Sequence, residues 1–149
     1  AKSMKYIPRY DIRLIRDGRI SVNATPIVRT PQDTLPVLEP ELSELAYEKF
    51  VALALSTKNH VIAVLPVSSG SLNASVVHPR EVFQRAILAN CASLILAHNH
   101  PSGDPSPSPE DIALTRKLID AGRFLDIPVI DHIVLGYGRY VSFKECGLL

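Results

Sequence analysis

A chain of 149 residues, 46% hydrophobic and 21% charged, has the balance of one globular domain and is long enough to bury most of its apolar surface without cross-links. Its two cysteines, Cys91 and Cys146, lack metal-type spacing, and no apolar run approaches membrane-span length, which argues against a disulfide scaffold and a spanning segment. The net charge of +1 is too small for a strongly polyanion-binding surface, and with no signal-peptide pattern the expectation is a cytoplasmic protein with free thiols.

The charge is unevenly placed. Residues 1–30 carry seven basic and two acidic side chains, a local +5 that leaves −4 for the rest. A basic arm of this kind can meet phosphate or an acidic partner, or it can be the solvated face of a hairpin. The alternation of Ile12, Leu14, Ile20 and Val22 around Asp17-Gly18 predicts the hairpin. Residues 24–40, with Pro26, Pro31, Pro36 and Pro40, read as a linker or an arm across the domain. Glu41 to Tyr47 has room for one or two helical turns.

Lys49–Thr57 and Val61–Val67 read as strands joined at Lys58-Asn59-His60, and the unbroken apolar run from Phe50 to Leu55 predicts burial on both faces. A loop follows from Ser68 to Asn73, and Val76 and Val77 lead into a helix from Pro79, burying Val82, Ala86, Ile87 and Cys91. Leu94–Ala97 is a short buried strand. A second helix over Pro109–Asp126 buries Ile112, Leu118, Ile119 and Leu125, and Val129–Leu135 with Tyr140–Phe143 closes as a hairpin around Gly136-Tyr137-Gly138. Strands mixed with two helices predict an α+β or three-layer α/β/α domain around one mixed sheet flanked by helices.

The chemistry concentrates in the segment from Ala97 to Asp111. His98 and His100 sit two residues apart, so in extended chain they face the same side. Ten residues separate His100 from Asp111, enough for the loop to fold back and bring a carboxylate to the same point. Two neutral imidazoles and one carboxylate suit a divalent metal with a position left for water. Ser108-Pro109-x-Asp111 is also ordinary helix-start chemistry, with serine as N-cap, proline at N1 and an acid at N3, and a capped first turn is a rigid place for a ligand. Asp104, in Gly103-Asp104-Pro105, suits a turn better than a third ligand. His60 reads as a turn residue, His78 as a helix-entry residue and His132 as a buried, satisfied histidine or a support behind the ligands.

His98-x-His100 with Pro101 and the Ser108-x-x-Asp111 ending resembles the JAMM metal motif of JAB/MPN metalloproteases. The wording His98-Asn99-His100-Pro101-Ser102-Gly103-Asp104-Pro105, with Val77-His78-Pro79-Arg80-Glu81-Val82-Phe83 and Asp131-His132, is similar to the RadC-like branch, described as DNA repair protein RadC-like. The resemblance runs from about Glu48 to the C-terminus. It implies the cytidine-deaminase-like arrangement of JAB/MPN domains and divides the chain into an arm over 1–40 and the domain over 41–149. RadC-like chains commonly carry a helix-hairpin-helix DNA-binding segment upstream, and the first forty residues show no such pattern.

Hydrolysis at such a centre needs a base to take the water proton and return it to the leaving amine. Spacing leaves Glu39, Glu41, Glu44, Glu48 and Glu81 open. The resemblance of Glu48-x-Phe50 selects Glu48, and it implies that Ser108, besides capping, helps hold the tetrahedral intermediate. Asn99 stands where many eukaryotic members have serine, so ubiquitin-type specificity is not implied. The leading expectation is a zinc metallopeptidase or isopeptidase acting on a protein or peptide. The alternatives are a nucleic-acid-binding or scaffold module tied to DNA repair with a non-catalytic metal, and a non-haem iron facial triad.

Overall fold

The computed structural model describes residues 3–71 and 77–149. Five strands form one mixed sheet in the order β2-β1-β3-β4-β5: β1 Glu48–Leu55, β2 Val61–Ser71, β3 Ser93–Asn99, β4 Val129–Leu135 and β5 Tyr140–Ser142. Only β3 and β4 run parallel, with α3 (Pro109–Phe124) as their crossover; the other neighbours pair antiparallel. The β2 strand runs through Ser71, into the loop expected from Ser68; of that loop and the lead into the next helix, Leu72, Asn73 and Val76 lie outside the described residues. Pro66 is tolerated because β2 is an edge strand, where a missing N–H costs no ladder bond.

The sheet has two apolar faces. Phe50, Ala52, Ala54, Leu94 and Leu96 pack against α2 (Pro79–Leu88) and α3 through Val82, Phe83, Ala86, Leu114 and Leu118. Val51, Leu53, Ile95, Ala97 and Ile133 pack against α1 (Leu35–Leu42). This is a three-layer α/β/α sandwich. It explains the unbroken apolar wording of β1 and β3, whose successive residues serve opposite cores.

The N-terminal part differs from expectation. Residues 3–22 hold no strand, so the hairpin around Asp17-Gly18 is absent. A turn signal fixes register only where a face can be buried, and Ile7, Tyr10 and Ile12 of this segment are exposed. Of the two readings of residues 24–40, a linker or an arm across the domain, the arm is the one found, with Val28, Val37 and Leu38 packed on the sheet. A 3-10 turn over Pro31–Thr34, closed by a reciprocal capping box between Thr30 and Asp33, runs into α1. Here the prolines start helices rather than break them: Pro31 and Pro36 occupy first-turn positions, where a missing N–H has no intrahelical partner to lose. Pro40 is inside the helix, which persists because Val37, Leu38 and Leu42 are buried. The helical turns expected over Glu41–Tyr47 therefore lie upstream, and a boundary between residues 40 and 41 cuts through a helix of the core.

The buried stripe of α3 is also rotated from the expected one. Asp111, Leu114, Thr115, Leu118 and Gly122 face inward, while Leu125 is exposed. The stripe thus begins with a carboxylate, which turns the start of α3 toward the end of β3.

Candidate metal centre

The strand β1 runs opposite to β3, so the first residue of one lies beside the last of the other, and Phe50 pairs with His98. Glu48 and the His98-Asn99-His100 segment therefore share one end of the sheet. Alternation places Glu48, Phe50, His98 and His100 toward the α3 face. The loop 101–108 then returns the chain to the N-terminus of α3, where Asp111 sits.

The donor atoms converge. His98 Nε2 lies 3.1 Å from His100 Nε2 and 3.3 Å from Asp111 Oδ1, and His100 Nε2 lies 3.1 Å from Asp111 Oδ2. Glu48 Oε1 stands 3.9 Å from His100 Nε2. Glu48, His98 and His100 also form a set whose ligand atoms are mutually close enough for one ion. Of the residues singled out from the sequence, His98, His100, Asp111, Glu48 and Ser108 meet here. His78 caps the entry to α2 and His60 lies in the β1–β2 turn, bridged to Ile27.

Ser108 caps α3: its Oγ accepts from the Asp111 N–H at 3.0 Å, and its own N–H donates to Asp111 Oδ2 at 2.9 Å. Burial alone would push the Asp111 carboxyl up. The hydrogen bonds from His100 and His98 and the Ser108 N–H outweigh it and hold the group far below the usual carboxylate range. Burial pushes the Glu48 carboxyl up, against the pull of the nearby imidazoles. His100 is raised, chiefly by its hydrogen bond to Asp111.

Proton counting fixes the histidine tautomers. Thr115 donates its hydroxyl proton to the Asp111 carbonyl at 2.7 Å, so its oxygen accepts from His132 Nδ1 at 2.6 Å. His132 is fully buried, and desolvation holds it well below the ordinary histidine value, so it is neutral and its Nε2 is an acceptor. His98 Nδ1 must then donate to it, at 2.7 Å. On His100, Nδ1 donates to the Asp104 carbonyl at 2.8 Å. In the neutral rings both Nε2 atoms then carry lone pairs directed at one point beside the Asp111 carboxylate, and this donor set fits a divalent metal; without the metal, a proton on Nε2 serves the bond to Asp111. The two Nε2 atoms lie 3.1 Å apart, close to the edge of a tetrahedron with bonds of about 2.0–2.1 Å, which is about 3.3–3.4 Å, and each lies 3.1–3.3 Å from a different oxygen of Asp111.

The surroundings hold these rings still. Phe50 stacks on His98, with centroids 5.9 Å apart, and Phe143 stacks on His132 at 4.7 Å. Asp131 ties β4 to the C-terminal segment, accepting from Ser142 Oγ and the Lys144 N–H. Gly103, at φ +89°, packs so closely against Tyr137 that a Cβ would lie 2.3 Å from its ring, while Tyr137 donates to the Pro101 carbonyl. The loop carrying His100 is thus clamped to the β4–β5 turn. Sequence reasoning missed Thr115, although its spacing of four residues from Asp111 puts both on one helical face.

The sequence pattern of the RadC-like JAB domain matches residues 28–148. A UPF0758 protein of Desulfitobacterium hafniense is 51% identical over 136 residues, which is 89% of this chain and 60% of the relative. UPF0758 proteins of Methanosarcina barkeri and Roseiflexus castenholzii are 52% and 54% identical over 122 and 121 residues, covering 82% and 81% of this chain. The chain spans 60%, 53% and 52% of these three relatives. The matched span starts at Val28, upstream of α1, and holds every residue of the cluster just described, so the chain belongs to the RadC-like JAB domain family.

Proposed function

We propose that this domain is a zinc-dependent hydrolase that cleaves an amide bond in a protein or peptide. His98, His100 and Asp111 hold the metal, Glu48 is the general base and Ser108 assists the oxyanion. The observation that carries the reading is the convergence of both Nε2 atoms and the Asp111 carboxylate within 3.1–3.3 Å, with the Glu48 carboxylate 3.9 Å from His100 Nε2. Bound zinc supplies a water of lowered pKa and polarises the carbonyl. Asp111 is locked by Ser108 and the imidazoles and stays ionised, which suits a ligand. Glu48 is half-buried and raised, which suits a group that takes a proton from water and returns it to the leaving amine. The Ser108 oxygen takes the Asp111 N–H, which leaves its own proton to donate to a developing oxyanion.

A screen of peptide and isopeptide libraries with added Zn2+, against a chelator control, tests the activity. Glu48→Gln keeps the shape and removes the basic oxygen. It should retain one zinc per chain and lose about 100-fold or more in turnover. Wild-type turnover in that variant would assign the base elsewhere, and loss of metal would make Glu48 a ligand. Metal analysis of protein purified without added metal decides between zinc and an iron facial triad. The exposed basic side chains of residues 3–19 favour a second reading, contact with nucleic acid, which salt-dependent DNA binding would support.

A further inference from the structure

The β1–β3 ladder stops at Phe50 and His98, one step short of the next pair, Lys49 and Asn99. That step is made by a side chain. Asn99 Oδ1 accepts from the Lys49 N–H at 2.7 Å, and Asn99 Nδ2 donates to the Tyr47 carbonyl at 2.9 Å. The amide is buried, and it grips the backbone on both sides of Glu48. Only an amide of this length both accepts and donates across the gap; aspartate lacks the donor, and serine is too short to span both groups. We infer that Asn99 is the positioning residue for Glu48: as a bridge of one amide between the strand ends, it holds the Glu48 carboxylate beside the imidazoles.

The geometry favours this over a purely architectural role. The two bonds reach the residue before Glu48 and the residue after it, and the Glu48 carboxylate they bracket has its Oε1 3.9 Å from His100 Nε2, against 3.1–3.3 Å among His98, His100 and Asp111. Among the described residues the Asn99 side chain makes no hydrogen bond to His98, His100, Asp111 or Glu48. Its sequence position between the two histidines makes one β-segment do two jobs: alternate side chains face the metal side, and the one between them fixes the base. The inference rests on the proposed hydrolase reading for Glu48, and the test separates the two.

Asn99→Ala, with Asn99→Ser as the milder variant should alanine not fold, is compared with wild type in three measurements. Zinc stoichiometry should stay at one per chain. Amide hydrogen exchange at Lys49 should rise about tenfold or more, while Leu53 and Leu96 in the strand interiors stay protected. On a cleaved substrate, kcat should fall about 10- to 100-fold with KM nearly unchanged, and Asn99→Ala should cost little further in the Glu48→Gln background. Unchanged exchange at Lys49 overturns the inference, as does an equal loss of kcat in both backgrounds. Equal turnover of wild type and Glu48→Gln overturns the base role of Glu48 in the proposed function, and with it the positioning role of Asn99, even where faster exchange at Lys49 shows the tether.

Discussion

Each histidine at the centre is aimed by its Nδ1. His98 is set by a relay that starts on the helix carrying Asp111: the Asp111 carbonyl, the Thr115 hydroxyl, His132, then His98 Nδ1. One helix therefore supplies a candidate ligand and orients another. Thr115→Val keeps the volume and removes the oxygen that His132 Nδ1 needs. Zinc affinity should fall about 10- to 100-fold, the usual cost of losing such support, and isothermal titration with Zn2+ checks it. His132 is the same kind of residue: its burial and its place after Asp131 are visible in the sequence only as an apolar strand with a histidine in it.

At the scale of elements, α1 decides where the domain begins. Leu38 and Leu42 are almost fully buried against β1 and β3, and Lys49 Nζ pairs with Glu41 at 2.8 Å across the same junction. Leu38→Ala should destabilise by about 2–5 kcal/mol, the range for a large-to-small change in a packed core. Chemical denaturation measures it. A chain starting at Glu41 should fail to fold cooperatively, whereas one starting at Ile20 should fold and bind zinc, because residues 3–19 are exposed and Ile20 is kept on the core. Circular dichroism and zinc stoichiometry of the two truncations check this.

For the whole molecule, the centre couples folding to metal and pH. In the metal-free protein His100 is raised by its bond to Asp111. A raised group contributes stability that is fully present below its unfolded pKa, about 6.5, and lost as pH rises through the higher folded value. Across that interval the metal-free fold weakens, while the imidazole becomes free to bind zinc without displacing a proton. The gain in melting temperature on adding Zn2+, measured against chelator, should therefore be small near pH 5 and grow toward pH 8. A gain that does not change with pH would mean that His100 is not a ligand.

The sequence by itself marked the strands and helices from β1 onward, though not the full length of β2 or the buried stripe of α3, and it offered His98, His100 and Asp111 as a candidate group, because those signals are local: period-two alternation, proline at a helix start, serine as cap. The long family match determined the domain type, and structure and comparison agree with it. What the tertiary structure decided was non-local. The proline-rich segment reads as a linker or an arm until the β1–β3 face is there to bury Leu38, and the Asp17-Gly18 turn reads as a hairpin although no face is offered to it. Glu48 could not be chosen from spacing among five glutamates, because its closeness to His100 arises from antiparallel pairing across fifty residues of sequence. For the same reason, the roles of Thr115 and Asn99 became legible only when three strands and a helix met at one end of the sheet, and the two readings of His132, buried or supporting, merged there into one.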